Sequence, residues 1–278
     1  MLEGYAMMLL CPVCGKELHK TERTWRCDAN HCFDEARQGY VNLLTVDRKH
    51  AKHPGDTKEQ VAARKVFLDA GFYAPIAKKV CEMTAPLSPK AVLDAGCGEG
   101  YYLTQLQTQL PDTEFAGVDI SKDAVRFAAV RNKNALWLTA TAAALPFPNS
   151  SFDGVLSMFA LTVEQEFARV LTEHGWYLQV IAGPEHLMGL KSIIYPEILR
   201  KEKTLQPQLL GFRLERSETL TFSFTADSPE QVQNLLSMTP HFWRISKEGA
   251  QRLAATQTLT DEAQVIFNLY RKEDSHAG

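Results

Sequence analysis

The sequence predicts an α/β protein: a mostly parallel, seven-stranded sheet covered by helices, preceded by a small module that a metal ion holds together. Three observations carry that prediction. From Lys90 onward, short apolar runs alternate with stretches of helical spacing. A glycine-rich turn, Asp94-Ala95-Gly96-Cys97-Gly98-Glu99-Gly100, stands where the first of those runs gives way to a helix. Several potential metal ligands crowd into the first 32 residues. Strands that alternate with helices are covered on both faces and read as continuous apolar runs, the pattern of a parallel, Rossmann-like sheet.

The bulk composition narrows the class. A chain of 278 residues suffices for one large domain and a small appendage. Its 45% hydrophobic and 23% charged residues are the mixture of a folded soluble protein. A formal net charge of -3 leaves no global positive field, which argues against a protein that merely coats nucleic acid but permits a local basic patch. No apolar run approaches the roughly 20 residues of a membrane-spanning helix. Met1 to Leu10 has neither a basic n-region nor a small-residue cleavage site, so the expectation is a cytoplasmic protein with no membrane partner. The oligomeric state is left open, a homodimer being one arrangement the sequence permits.

Three segments follow: residues 1-40 as a zinc-binding module, 41-88 as a linker with helices packing on the next domain, and 89-278 as the sheet domain. In the first, Cys11-Pro12-Val13-Cys14 is a Cys-x-x-Cys knuckle, and Cys27 and His31 follow at Cys-x-x-x-His spacing. Four such ligands suit tetrahedral zinc in a closed structural site, with no open position for catalysis. Cys32, next to His31, is a rival fourth ligand. A stretch this short has too few apolar residues for a core and needs the metal. Cys81 and Cys97 stand alone and read as small buried hydrophobes.

Thr45 to Gly55 reads as a linker, and its basic run Arg48-Lys49-His50-Ala51-Lys52-His53 is either a solvated face or a stripe that tracks a phosphate backbone. Thr57-Lys58-Glu59-Gln60 fits a capping box, opening a helix that turns Val61, Ala62, Phe67 and Ala70 inward and stops at Gly71. Pro75 suits the first turn of another helix, with Ile76, Val80 and Met83 at helical spacing.

In the third segment Ala91–Asp94, Phe115–Ile120, Leu136–Ala140, Phe152–Phe159 and Gly175–Ala182 are predicted strands. Tyr101–Leu110 and Asp123–Arg131 are predicted helices. Leu220–Phe224 and Val265–Tyr270 are strand-like and suit a closing antiparallel pair, while Pro184 to Leu210 reads as a largely helical insertion.

The glycine loop lets the backbone approach a ligand without Cβ interference. Its Gly-x-Gly-x-Gly spacing followed by Tyr101 departs from the dinucleotide fingerprint, and no Gly-Lys-Ser/Thr follows, which excludes a Walker phosphate loop. Asp94 at the strand end suits a cationic amino-acid ligand. Asp119 ends the second strand, where a carboxylate either accepts ribose hydroxyls or caps the next helix; Ser121 is the competing cap. The loop and Asp119 together match class I methyltransferases. In that family the loop around Gly96, Gly98, Glu99 and Gly100 cradles the methionine part of S-adenosyl-L-methionine and the second acid holds the ribose; Thr141, just after strand three, lies where the family contacts adenine. Tyr73 reads as core or as a cover for the cofactor, and His186 lies just past the carboxyl end of strand five, the edge where ligands bind in such sheets.

Taken together, these residues resemble a narrower family, the bacterial 23S ribosomal RNA guanine-N1-methyltransferases, over most of the chain. The resemblance rests on the cysteine–histidine knuckle, Gln38-Gly39-Tyr40-Val41-Asn42-Leu43-Leu44, Pro54-Gly55-Asp56, Ala63-Arg64 and Phe67-Leu68-Asp69-Ala70-Gly71 with Tyr73 close behind. It continues through the glycine loop to Tyr102, Gly183-Pro184 with His186-Leu187-Met188, and Met238-Thr239-Pro240 with Trp243-Arg244. It implies zinc at Cys11, Cys14, Cys27 and His31, cofactor contacts at Tyr73, Gly98, Glu99 and His186, and a zinc module that helps recognise the RNA. The implied activity is methylation of N1 of a guanine in a hairpin loop, hairpin 35 of domain II of 23S rRNA. Two stretches depart from the family pattern: Phe159-Ala160-Leu161-Thr162 replaces Tyr-Ala-Pro-Cys beside the expected base pocket, and Thr172-Glu173-His174-Gly175 replaces Lys-Pro-Gly-Gly before strand five. No general base is legible. The competing readings are a small-molecule methyltransferase of the same fold and a non-catalytic zinc RNA-binding protein.

Overall fold

In the computed structural model the described residues are 7–46, 55–198 and 204–273. The basic run of the linker lies outside them. Four short strands, β1 (Leu9–Leu10), β2 (Glu17–Thr21), β3 (Thr24–Arg26) and β4 (Cys32–Asp34), form an antiparallel sheet in chain order. This small sheet has no separate core. Its buried Leu9, Leu18 and Trp25 join one cluster with Val41, Leu43, Leu145 and Phe147 of the larger domain, and the Leu10 N–H donates to the Pro146 carbonyl at 2.9 Å. The module is therefore docked, as a chain too small to bury its own apolar surface must be.

The main sheet has eight strands rather than the seven expected. The added one is β5 (Tyr40–Asn42), which pairs in parallel with β8 (Leu136–Thr139). A three-residue strand paired across more than ninety residues carries no periodicity of its own, which is why the sequence does not announce it. The other strands are β6 (Ala91–Ala95), β7 (Glu114–Asp119), β9 (Phe152–Met158), β10 (Leu171–Ala182), β11 (Phe212–Ala226) and β12 (Leu259–Lys272). Their order is β11-β12-β10-β9-β6-β7-β8-β5, with β12 antiparallel to both neighbours and the remaining pairs parallel. The expected α/β class and the antiparallel closing pair are both observed.

Chain order reverses at β6, which has β7 on one side and β9 on the other. At such a switch point the connections leave in opposite directions and open a crevice at the carboxyl ends of the strands. The helices then close both faces. α1 (Lys58–Asp69) begins at the predicted capping box: the Thr57 hydroxyl accepts from the Gln60 N–H, and the Gln60 side chain accepts from the Thr57 N–H. It buries Gln60, Val61, Ala63, Phe67 and Leu68. Ala62 is only half-buried and Ala70 is exposed, because the inward stripe follows positions 60, 61, 67 and 68 and leaves both alanines on its flank. α2 (Ala74–Thr84) buries Ile76, Val80 and Met83 as expected, with proline in its first turn.

α3 (Tyr101–Gln109) and α4 (Lys122–Arg131) follow the predicted spans closely. α5 (Glu164–Val170), α7 (Pro229–Ser237) and α8 (Lys247–Ala255) were not foreseen. The expected helical insertion is a correction. Among its described residues only α6 (Met188–Ile194) is α-helical, and it ends where Tyr195 precedes Pro196 and takes the extended conformation, φ -111° and ψ 141°. The proline ring disfavours helical backbone in the residue before it. No helix among the described residues is long and apolar enough to cross a membrane.

Candidate active site and metal centre

At the metal centre, Cys11, Cys14, Cys27 and His31 present their ligand atoms within 4.8 Å of one another. Cys11 Sγ and Cys27 Sγ each lie 3.5 Å from His31 Nδ1, and Cys14 Sγ lies 3.6 Å from Cys27 Sγ. Zinc bonds of ~2.3 Å to sulfur and ~2.0 Å to nitrogen give tetrahedral ligand spacings of roughly 3.5–3.8 Å, which these three pairs match, so the set suits zinc. Cys32 lies outside this cluster. It is exposed, and its thiol donates to the Asn30 carbonyl instead. Against burial, which raises it, the amides of His31 and Ala29 and the side chains of Cys14 and His31 bring the Cys27 thiol down to about 6. A readily formed thiolate is what a metal ligand requires.

The crevice at the switch point is a cleft of about 1080 Å³. Its inner end is the glycine loop, where Gly96, Gly98 and Gly100 all hold positive φ, 90°, 55° and 78°. A Cβ on Gly96 would come within 2.5 Å of Ala160, so both the backbone conformation and the close approach demand glycine there.

Three carboxylates surround this loop. Asp119 accepts from the Gly98 N–H at 2.9 Å and the Ser121 N–H at 2.8 Å. Ser121 itself caps α4 by accepting from Ala124, which leaves Asp119 out of the capping role. Glu99 is buried and ion-paired to Arg131 at 3.2 Å, and Arg131 also reaches Asp69 at 2.7 Å, tying the ends of α1 and α4 to the loop. Asp94 is fully buried behind the loop, with neither carboxylate oxygen hydrogen-bonded. Burial, with Asp119 and Glu99 nearby, pushes Asp94 up to about 8. Burial likewise raises Asp119 and Glu99, opposed by backbone amides at the first and by Arg131 and Arg64 at the second. An orphaned buried carboxylate is costly. A pocket lined by glycine backbone and ringed with acids fits a cationic amino-acid group, so these residues suit the expected cofactor.

Of the residues singled out in the sequence, Tyr73, Gly96, Gly98, Glu99, Asp119 and His186 line the cleft. Gly100 is the N-cap of α3, and a Cβ on it would strike Trp137 at 2.7 Å. Thr141 sits past β8 with its hydroxyl accepting from the Ala143 N–H. Neither it, Gly100 nor Asp94 is a lining residue. Tyr73 is both core and cover: it is 2% exposed, and its hydroxyl lies 3.4 Å from His186 Nε2.

The outer half of the cleft holds residues whose roles the sequence did not signal. Tyr195 and His241 meet at 2.8 Å, with Lys191, Trp243 and Arg244 beside them. Burial, Lys191 and Arg244 hold His241 below the usual imidazole range, so it is neutral at pH 7. Trp243 is 67% exposed. Phe159, in the first departing stretch, takes φ 55° at the end of β9, and its ring lies 6.5 Å from Tyr73 and 6.2 Å from His186. Left-handed backbone at a bulky residue stores strain, which concentrates at functional sites. Thr162, in contrast, bonds to the Tyr177 hydroxyl and Gln179, and the second departing stretch lies at the opposite end of β10 from the cleft.

Residues 9–52 match the family model described as RlmA, N-terminal, a zinc ribbon, and residues 92–178 match one described as a methyltransferase domain. The chain is 33% identical over 268 residues to the 23S rRNA (guanine(748)-N(1))-methyltransferase of Streptomyces fradiae, covering 91% of this chain and 92% of that one. A Micromonospora griseorubida protein bearing the name 23S rRNA (guanine-N(1)-)-methyltransferase is 37% identical over 203 residues, 66% of this chain and 68% of that protein. A Bacillus subtilis strain 168 protein of the same name is 29% identical over 94% of this chain and 97% of its own length.

Proposed function

The chain belongs to the 23S rRNA (guanine-N1)-methyltransferase family, and from that premise we propose that it methylates N1 of a guanine in the loop of hairpin 35, domain II, of 23S rRNA. It is an S-adenosylmethionine-dependent methyltransferase with a structural zinc module. One observation carries the RNA reading: the zinc ribbon and the methyltransferase domain share a core, and full-length relatives with that union bear a ribosomal RNA methyltransferase name.

Bound S-adenosylmethionine supplies a methyl group on a sulfonium that is already a good leaving group. Catalysis by the chain is then mostly positioning. When bound, the cofactor would be held from the loop side by Glu99 and Asp119 and covered by Tyr73 with His186, while the buried Asp94 would add negative charge from behind the loop. About 1080 Å³ is more than the ~300–1,000 Å³ of a usual small-molecule pocket, and leaves room for a base beside the cofactor. Bases in RNA loops can be splayed out, stacked on aromatic rings and read on the Watson–Crick edge, where N1 lies. Trp243 and Phe159 offer those rings, and Lys191 and Arg244 offer positive charge to the backbone. N1 of guanine carries a proton that must leave. Neutral His241, oriented by Tyr195, is the group we assign to take it.

The test is primer extension on unmodified 23S rRNA incubated with enzyme and cofactor. N1 methylation blocks Watson–Crick pairing, so reverse transcriptase is expected to stop one nucleotide before a guanine in the hairpin 35 loop. A stop elsewhere, or transfer that is unchanged when the hairpin is melted into an unstructured strand, counts against the assignment.

A further inference from the structure

The acids around the glycine loop account for a cationic ligand but leave the cofactor's α-carboxylate without a partner. The inner half of the cleft is lined by Asp56, Glu99 and Asp119, where an unpaired carboxylate would be repelled. Among the described lining residues three permanent cations are available: Arg64, Lys191 and Arg244. The fields of Lys191 and Arg244 fall on His241 in the outer half. The field of Arg64 falls on Glu99 and Asp119 in the inner half.

The position of Arg64 is specific. It projects from the middle of α1, half-buried, with Nη2 2.5 Å from the Asp56 carboxylate and 3.5 Å from the Met238 carbonyl. Its Nη1 lies 3.6 Å from where a Cβ on Gly98 would stand, so a second edge of the guanidinium faces the loop. Asp56 is anchored in turn, because its carbonyl accepts from the Ser121 hydroxyl at 2.8 Å, two residues beyond Asp119. A guanidinium fixed along one edge and facing a ligand site with another is pre-oriented for a carboxylate, which arginine grips through a planar fork.

We infer that Arg64 is the carboxylate-binding residue of the cofactor site, held for that purpose by Asp56. The subsite takes the α-carboxylate of an amino-acid cofactor and distinguishes such a ligand from one that lacks it. The alternative role is a strut joining α1 to the segment after α7 through Met238. The two roles differ in what depends on the ligand's carboxylate.

The experiment measures binding by calorimetry, with no RNA present, so its result is independent of the acceptor. The probes are S-adenosylmethionine and decarboxylated S-adenosylmethionine, which differ by the carboxylate alone. The wild-type protein is expected to prefer the former by about 10- to 100-fold, the range of a charge-assisted hydrogen bond. Arg64→Met is expected to bind the decarboxylated ligand within about threefold of wild type and to show no preference between the two. Arg64→Lys, which keeps the charge without the fork and serves if the methionine variant fails to fold, is expected to retain part of the preference. An Arg64→Met protein that keeps the full preference, or loses both ligands in parallel, overturns the assignment, as does an Arg64→Lys protein whose preference equals that of wild type.

Discussion

The two halves of the cleft are built differently. The inner half centres on the backbone of one strand–turn–helix, β6 to α3, with Gly96 and Gly98 at positive φ, and on Asp119 of the neighbouring β7, which accepts from the Gly98 amide. The outer half is assembled from side chains far apart in sequence: Phe159 after β9, Lys191 on α6, Tyr195 beyond it, and His241 to Arg244 after α7. A cofactor that never changes can be met by a fixed main-chain cradle. A base presented by a folded RNA calls for aromatic and cationic side chains on elements that can vary. Under the proposed function, this difference assigns cofactor binding to one half and acceptor handling to the other, and substitutions test that separation.

The largest effect is expected from the ribbon. Replacing Cys11 and Cys14 together by alanine removes half of the zinc ligands, and a structural zinc supplies ~10 kcal/mol or more of folding free energy to its module. Zinc content by atomic absorption should fall from one equivalent to none and RNA methylation should be lost, while cofactor affinity changes by less than about threefold. A matching loss of cofactor binding would show that the ribbon also supports the inner half.

Next comes His241→Gln, expected to lower single-turnover methylation by about 100-fold, the usual scale of general-base assistance, with cofactor affinity unchanged. The deficit should shrink as pH rises and more guanine loses its N1 proton unaided. A variant with full activity at neutral pH would remove His241 from the mechanism.

Asp94 gives the inner half a pH signature. Its folded value of about 8 lies above the ordinary carboxylate value of 3.8, so between those limits the folded protein binds more protons at this site than the unfolded chain. This site therefore lowers the stability of the cofactor-free protein as pH rises from about 4 to 8. Asp94→Asn should melt above the wild type at pH 8, by ~2–4 °C for each 1 kcal/mol, and the gap should narrow toward pH 4. It should also weaken cofactor binding. A gap that is constant with pH would mean that Asp94 does not titrate in this window.

The smallest effect belongs to Trp243→Ala. The ring is mostly exposed, so stability should not change, while loss of one stacked base raises the RNA concentration needed for half-maximal rate by ~10-fold. No change there would place the acceptor against Phe159 alone.

The same division explains what the sequence made legible. The capping box at Thr57 and Gln60, the glycine loop and the Cys11–His31 knuckle are local: residues a few positions apart fix their own geometry, and they were readable. The cluster includes His31 and leaves out the neighbouring Cys32, whose thiol turns to the Asn30 carbonyl. The strand Tyr40–Asn42 and the pairing of Tyr195 with His241 are set by tertiary packing and leave no periodicity behind. β11 was readable only at Leu220–Phe224 because the rest of its fifteen residues are largely polar and exposed on this edge strand. α7 does carry a local signal, since Ser228 caps it and Pro229 fills its first turn.

The most direct test of the whole account is transfer of labelled methyl from S-adenosylmethionine to unmethylated 23S rRNA, followed by digestion and mass spectrometry of the nucleosides. The account predicts label in 1-methylguanosine at one equivalent per RNA. Label in any other nucleoside, or cofactor bound with none transferred to RNA, would contradict it.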